Sequence, residues 1–145
     1  MKEIDKFNKK FITQALGLFA VGSWKVSVRP VQLTPGSMVL SLQREVFSLG
    51  DLVKQEAIDM SIAIKEIERI LSIVYSPDKI NYLALMMIDP IVHFHVIPRY
   101  SKSVDISSVS YHDSFWPKPV DLLKQNQSMP SPETVANDLR NYISS

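Results

Sequence analysis

Apolar residues recur at steps of three and four between positions 53 and 74, which is the spacing of one face of an α-helix. The pattern predicts a helix of about six turns. Ser48 and Asp51 form a start signal just ahead of it. The helix must end by Ser76, because Pro77 disfavours helical geometry in the residue before it. The apolar positions are Val53, Ala57, Met60, Ile64, Ile67, Leu71 and Val74.

Three elements are expected before this helix. Apolar residues at helical spacing between positions 7 and 18 predict a short helix or turn. Trp24, Val26 and Val28 then alternate with polar residues, as in a half-buried strand. Pro35–Gly36 predicts a tight turn, and the segment SMVLSL after it predicts a second strand.

After the helix, two strand-like runs occupy residues 80–88 and 91–97, on either side of Asp89–Pro90. Proline suits the second position of a turn, and the short connection favours an antiparallel pair. Near the end of the chain, Ser131 and Pro132 are typical of the N-cap and first residue of a helix. We therefore predict an α+β fold with an antiparallel sheet, one long helix across it and a C-terminal helix.

The composition excludes several classes of function. The chain has 145 residues, of which 46% are hydrophobic and 21% charged, and this suits one globular domain with its own core. A net charge of +1 gives no basis for bulk electrostatic binding to nucleic acid or a membrane. The absence of cysteine excludes thiolate chemistry and disulfides. The apolar run 11–21 is too short to span a bilayer, so we expect a cytoplasmic protein.

Two of the three histidines, His93 and His95, lie in the otherwise apolar segment DPIVHFHVIPRY. Alternation along a strand places both on one side and Val92, Phe94 and Val96 on the other, core-facing side. An imidazole titrates near neutrality and can act as a base, a nucleophile or a metal ligand. The pair is therefore a candidate active site.

Two other interpretations of the pair stay open at this level. A short motif of two histidines also occurs as half-exposed strand residues without a function. The pair would also supply two nitrogen ligands to a metal ion. A third ligand would then come from His112, or from a carboxylate at Asp89 or Asp113.

The surroundings of the pair resemble the signature of the histidine triad (HIT) nucleotide hydrolases and transferases. In that signature, alternating histidines on a strand precede two apolar residues, a proline and often an arginine, as in VHFHVIPR here. RPVQLTPGSMVLSLQREVFSLGDL resembles the family's strand–turn–strand leading into a long helix, and SFWP resembles its tryptophan-containing C-terminal extension. The resemblance covers about residues 24 to 120. It implies one HIT-like domain over residues 1–145, with a sheet of about five strands, a core at about 24–100 and an extension at 101–145.

The resemblance also implies a mechanism. In the family, the middle histidine attacks the α-phosphate of a nucleotide and forms a nucleotidyl-histidine intermediate that water resolves. This position is His93, and His95 would bind a phosphate oxygen or protonate the leaving group. Ile91 replaces the first histidine, and Ser37 stands where relatives often have another. The Ile91 carbonyl would still fix the nucleophile's tautomer, so we expect residual or altered activity. The alternative is a weak or inactive nucleotide-binding protein.

For phosphate binding, the resemblance points to Arg99, Arg44 and Asn81, with Ser37 and Ile91 nearby. A solvated surface arginine is the other interpretation of Arg99 and Arg44. The resemblance further implies nucleotide or dinucleoside polyphosphate substrates, such as diadenosine polyphosphates, and a homodimer. No cofactor is expected for the covalent step, although a divalent metal could enter with the substrate phosphates.

Overall fold

The structure, a computed structural model, describes residues 1–123 and 128–144. The helices are α1 (Glu3–Lys10), α2 (Lys54–Val74) and α3 (Pro132–Arg140), with a 3-10 turn at Leu49–Asp51. The strands are β1 (Gly17–Val21), β2 (Trp24–Val28), β3 (Met38–Leu42), β4 (Lys79–Leu83), β5 (His93–Arg99), β6 (Val104–Ile106) and β7 (Val109–Tyr111).

Five strands form one antiparallel sheet in the order β1-β2-β3-β5-β4. Within it, Val39 of β3 and Leu83 of β4 flank His95 of β5. Strands β6 and β7 form a separate hairpin. The predicted fold, an antiparallel five-stranded sheet with a long helix and a C-terminal helix, is confirmed.

The main core lies between one face of the sheet and helices α2 and α3. Trp24 is fully buried there, and its indole Nε1 donates a hydrogen bond of 2.8 Å to the backbone carbonyl of Glu56 in α2. This bond satisfies the one polar atom of a large apolar side chain and ties the sheet to the helix. The alternation predicted for β2 is confirmed on this face. The other large side chains of this core include Met38, Leu40, Leu42, Ile67, Ile70, Leu71 and Leu139.

The opposite face of the sheet is covered by α1. Phe7 of this helix and Phe11, directly after its last residue, pack with Val39 of β3 and with Ile91 in a second, smaller apolar cluster. Val92 and Val96 lie in the main core, so the predicted division of the histidine strand into two faces is confirmed. The histidines therefore lie on the face that α1 covers.

Helix α2 matches its predicted end but starts slightly later than the start signal suggests. Ser48 caps the 3-10 turn instead, where its hydroxyl accepts a backbone N–H. At the true start, Glu56 Oε1 accepts a hydrogen bond of 2.9 Å from Val53 N, which satisfies one of the free N–H groups of the first turn. The helix ends at Val74, before Ser76 as predicted.

The buried stripe of α2 is shifted from the predicted one in its first half. Val53 and Ala57 are exposed, whereas Ala63 and Ile70 are fully buried. The stripe predicted from apolar spacing was therefore correct from Met60 onward, where the helix crosses the sheet.

The sheet begins earlier in the chain than predicted. The expected core started at about residue 24, but β1 occupies Gly17–Val21 and pairs with β2. Gly22, with a φ of +55°, makes the tight turn between them. The helical spacing of apolar residues up to Leu18 concealed this strand, because α1 ends at Lys10 and its periodicity continues by chance.

The run predicted as one long strand, 80–88, is a strand only to Leu83. Residues 84–92 form a loop, and the following strand is shifted by two residues to His93–Arg99. Leu85, Met87 and Ile88 are exposed in this loop. Apolar composition alone suggested a strand here, but none of the strands in residues 1–123 and 128–144 pairs with these residues.

The C-terminal helix forms as predicted. Ser131 Oγ accepts a hydrogen bond of 3.1 Å from Thr134 N, and Pro132 opens the helix. Its residues Val135, Ala136 and Leu139 are buried in the main core. The described part of the extension 101–145 therefore shares its core with the sheet.

Candidate active site

The two histidine side chains lie side by side on β5, in line with the alternation of the strand. Their ring centroids are 5.0 Å apart, and the rings meet edge to face. Both are almost completely buried, with exposed fractions of 2% for His93 and 7% for His95. Such burial excludes the interpretation of the pair as half-exposed strand residues.

Helix α1 and the residue that follows it cover the two histidine rings. The Phe7 ring lies 4.8 Å from the His93 ring, and the Phe11 ring lies 6.2 Å from His93 and 6.0 Å from His95, measured between centroids. At the end of the same helix, Lys10 Nζ is 2.8 and 3.0 Å from the carboxylate oxygens of Asp89. The helix is thus bound to the loop that precedes the histidines.

The His93 side chain forms a hydrogen bond of 2.7 Å from its Nδ1 to the backbone carbonyl of Ile91. A carbonyl oxygen only accepts, so Nδ1 carries the proton and Nε2 has the free lone pair. Burial lowers the pKa of His93, against smaller opposing effects of the Ile91 hydrogen bond and Asp89. The imidazole is therefore neutral at neutral pH, with Nε2 available as a nucleophile.

His95 is held from β2. Arg29 directly follows this strand, and its Nε lies 3.4 Å from His95 Nδ1. Burial, then the positive charge of Arg29 and the proximity of His93, lower the pKa of His95 to about 4. Burial also lowers the pKa of Arg29, while Asp89 opposes this shift. Both histidines are consequently neutral in the same pocket.

The two imidazoles line a cavity of about 360 Å³. Its polar wall is completed by Lys10, Arg29 and Asp89. Its remaining walls are mainly apolar, and they include Phe11, Val31 and residues 85–88. This combination of a few converging polar groups with apolar walls is typical of small-molecule sites.

The structure does not bring Arg99 and Asn81 to this cavity. Arg99 is four residues beyond His95, about 13 Å along the strand. Its guanidinium forms a two-pronged ion pair with Asp113, at 2.6 and 3.2 Å. It also donates to Asn81 Oδ1 at 3.0 Å and to the Lys118 carbonyl at 2.5 Å. The side chain is buried and binds the C-terminal extension to the sheet, which is a different environment from the phosphate contact expected of it.

Arg44 also has an internal partner. Its Nε and Nη2 donate to the two carboxylate oxygens of Glu56, at 2.8 and 2.7 Å. This ion pair is the main reason why the pKa of Glu56 is lowered to about 2. Arg44 does not line the cavity that the described residues form around the histidines, and its pairing stabilises the start of α2.

Ser37 is fully buried in the turn before β3. Its hydroxyl donates to the Thr34 carbonyl at 2.7 Å and accepts from the Thr34 backbone N–H at 3.1 Å. It is absent from the described lining of the cavity. Of the residues expected around the phosphate, Ile91 alone contacts a histidine in the cavity, through its carbonyl.

The metal interpretation gains no support from the geometry. His112 follows β7 and contacts Ser103 Oγ, outside the histidine cavity. Among residues 1–123 and 128–144, no group of three or more His, Cys, Asp or Glu side chains is placed to hold a metal ion.

None of the helices described is long and apolar enough to cross a membrane.

Sequence reasoning missed Arg29, Lys10 and Phe11 as parts of the site. A signal for Arg29 was present, because Lys25, Ser27 and Arg29 lie on the side of β2 opposite its core residues. Which face of the sheet β2 shares with the histidines follows only from the strand order, however. No local pattern indicated that α1 would fold over this face.

Comparison with known proteins identifies the fold. No family model matches the sequence, and no curated protein matches it. Among solved structures, a histidine triad protein from Bradyrhizobium japonicum matches with a TM-score of 0.69 and 21% identity, over 96% of this chain and 95% of the other. A histidine triad protein from Sinorhizobium meliloti gives a TM-score of 0.68 and 20% identity, over 91% and 93%.

A third match is more distant in sequence. A hypothetical histidine triad nucleotide-binding protein from Sulfolobus tokodaii matches with a TM-score of 0.65 and 10% identity, over 87% of this chain and 81% of the other. The agreement extends over most of the chain in all three cases. The protein has the fold of the histidine triad proteins.

Proposed function

We propose that this protein is a histidine triad nucleotide hydrolase or nucleotidyl transferase that acts through a covalent intermediate on His93. The observation that carries the proposal is the 2.7 Å hydrogen bond from His93 Nδ1 to the Ile91 carbonyl. It leaves the Nε2 lone pair free on a neutral imidazole in the wall of the cavity. The histidine triad fold supports the same function.

In the first step, His93 Nε2 forms a bond to the α-phosphorus of a nucleotide, and the bond from phosphorus to the leaving group breaks. The phosphorylated imidazole becomes cationic, so the Nδ1–H bond to the Ile91 carbonyl strengthens as the reaction proceeds. In the second step, a water oxygen forms a bond to the same phosphorus, the bond from phosphorus to His93 Nε2 breaks, and a nucleoside monophosphate leaves, while the proton that water gives up passes to solvent. His93 regains its lone pair and keeps the Nδ1 proton throughout.

The remaining cavity groups supply binding. Arg29 and Lys10 provide positive charge toward an anionic phosphate, although Asp89 offsets part of the charge of Lys10. The apolar walls suit the carbon surfaces of a nucleoside. The covalent step needs no cofactor, and a divalent cation would enter with the substrate phosphates.

The test is the release of adenosine monophosphate from diadenosine polyphosphates and from adenosine phosphoramidate, with wild-type protein and His93→Ala. We expect the variant to lose at least about a thousandfold in kcat, because the attacking atom is removed. His112→Ala is the matched control, since this histidine lies outside the cavity, and it should retain wild-type turnover. Equal turnover by wild type and His93→Ala would refute the mechanism.

A second candidate is a nucleotide-binding protein with little catalysis. It is favoured by the buried aliphatic side chain of Ile91, which replaces the family's first histidine and leaves its backbone carbonyl as the contact to His93 Nδ1. Under this alternative, calorimetry detects binding of adenosine monophosphate while no turnover is measurable. Ile91→His would then create activity, alone or together with Ser37→His.

A further inference from the structure

Arg29 reaches the cavity from a fixed position. Its backbone N–H donates to the Ser37 carbonyl at 2.9 Å, which extends the pairing of β2 with the chain before β3. Its side chain is tethered at a second point, because Nη1 donates to the Val31 carbonyl at 2.7 Å. With both ends held, Nε lies 3.4 Å from His95 Nδ1.

This contact determines the tautomer of His95. A guanidinium has donors only, so the nitrogen that faces Arg29 Nε must accept. On a neutral imidazole, the single proton is then on the other nitrogen, Nε2. His93 has the reverse arrangement, because its Nδ1 faces the carbonyl of Ile91. The two neighbouring rings therefore present opposite groups at Nε2, a lone pair on His93 and a donor N–H on His95.

Of the charged and titratable groups around His95, Arg29, His93 and Lys10 favour this neutral state, and Asp89 opposes it because its charge raises the pKa of His95. Arg29 from the end of β2 and Lys10 from α1 are cationic, His93 on β5 is neutral, and Asp89 from the preceding loop is anionic. Burial is the largest of the effects that lower the pKa of His95 to about 4, and Arg29 is the next. At neutral pH, His95 thus has no second proton to give.

We propose that Arg29 is a positioning residue that fixes His95 as the Nε2–H tautomer, so that His95 donates a hydrogen bond to a non-bridging oxygen of the phosphate and does not protonate the leaving group. This inference rests on the proposed function for its substrate. It selects one of the two roles that the sequence left open for His95. A neutral imidazole is a very weak acid, because loss of its Nε2 proton would leave an imidazolate anion.

The tautomer has a consequence for the substrate class. Because His95 then has no proton to give, a leaving group that is stable as an anion departs most easily. Phosphoanhydrides meet this condition, because a nucleotide or polyphosphate leaves as an anion. An amine released from a phosphoramidate does not. We therefore expect diadenosine polyphosphates and similar anhydrides to be hydrolysed faster than adenosine phosphoramidate.

The direct test is NMR of the imidazole nitrogens in ¹⁵N-histidine-labelled protein, without any substrate. In the wild type, His95 should give an acceptor-type shift at Nδ1 and a protonated-type shift at Nε2. Arg29→Met removes the donor and the charge, so the two tautomers should mix and the titration midpoint of His95 should rise. Arg29→Lys keeps the charge and should restore most of the low midpoint. Lys25→Met, on the same side of β2 but outside the described lining of the cavity, is the control and should resemble the wild type.

Kinetics provide a second readout. Arg29→Met should lower kcat for an anhydride by about ten- to a hundredfold, more than it raises KM. The reason is that the His95 proton then lies partly on Nδ1, so that Nε2 donates less well to the phosphate in the transition state. A wild-type signal with the proton on His95 Nδ1, or unchanged His95 tautomer and titration in Arg29→Met, would overturn the inference. The NMR result does not depend on turnover. Failure of the proposed function would appear separately, as unchanged turnover in His93→Ala.

Discussion

Burial keeps the two imidazoles neutral, and it thereby lowers the stability of the folded protein at acidic pH. The folded protein disfavours the charged form of His95, whose pKa is lowered to about 4 from the ordinary value of 6.5. The unfolded chain has no such restriction. Between these two values, the unfolded state therefore binds more protons than the folded state, and lowering the pH favours unfolding.

We expect this effect in the free energy of unfolding. The contribution of His95 is fully present above about pH 6.5 and is lost progressively as the pH falls toward 4. Between pH 7 and pH 5 the loss should be about 2 kcal/mol. Urea denaturation at both pH values measures it, and His95→Gln is the control, because it removes this titration while leaving the carboxylates. If both proteins lose the same stability between pH 7 and pH 5, the buried neutral state of His95 is contradicted.

At the residue scale, the sequence was informative about His93 and His95 because strand alternation is a local rule. It was less informative about partners. Arg29 and His95 are 66 positions apart and meet across the intervening strand β3. For Arg99, the local sequence suggested the wrong partner. Its sequence neighbourhood suggested phosphate, but its partner Asp113 comes from the extension, which no local pattern placed.

At the scale of elements, α1 is the structure that covers the histidine rings. Phe7 and the adjoining Phe11 pack against the histidine rings, and Phe7 is 2% exposed. A helix of eight residues has little stability of its own, so its position depends on these contacts and on the Lys10–Asp89 ion pair. The low pKa of His93, whose main cause is burial, should therefore depend on α1.

The prediction concerns Phe7→Ala. Removing the ring should admit water beside His93 and raise its pKa toward 6.5, because the main cause of the lowered value is lost. The same change should cost about 3–5 kcal/mol of packing energy, less if α1 detaches locally. Phe7→Leu, which keeps an apolar cover, should stay close to the wild type. NMR titration of His93 in the three proteins measures the effect, and an unchanged titration in Phe7→Ala would show that α1 is not the cover.

The elements differed in how well the sequence predicted them. α2 and α3 have long apolar periodicity or clear capping residues, and both were predicted. β1 was missed because its apolar residues continue the spacing of the helix before it. Residues 84–88 were predicted as strand from composition, but a strand requires a partner, and strand order is a property of the whole fold.

At the scale of the whole molecule, the fold places His93, His95 and residues from distant parts of the chain around one cavity. The sheet has two edges, β1 and β4. Near β1, Arg140 of α3 donates to the carbonyls of Ala15 and Gly17, which covers part of that edge. We propose that the expected homodimer forms through the β4 edge, next to the loop that lines the cavity.

The central claim is that His93 becomes covalently bound to the nucleotide, and trapping this intermediate tests it most directly. Wild-type protein is mixed with diadenosine tetraphosphate, quenched in alkaline denaturant within milliseconds and digested for mass spectrometry. We expect one adenylyl group on the peptide that contains His93, and none in His93→Ala. Wild-type protein that turns over the substrate with no adenylyl group on His93, or with the group on another residue, would contradict it.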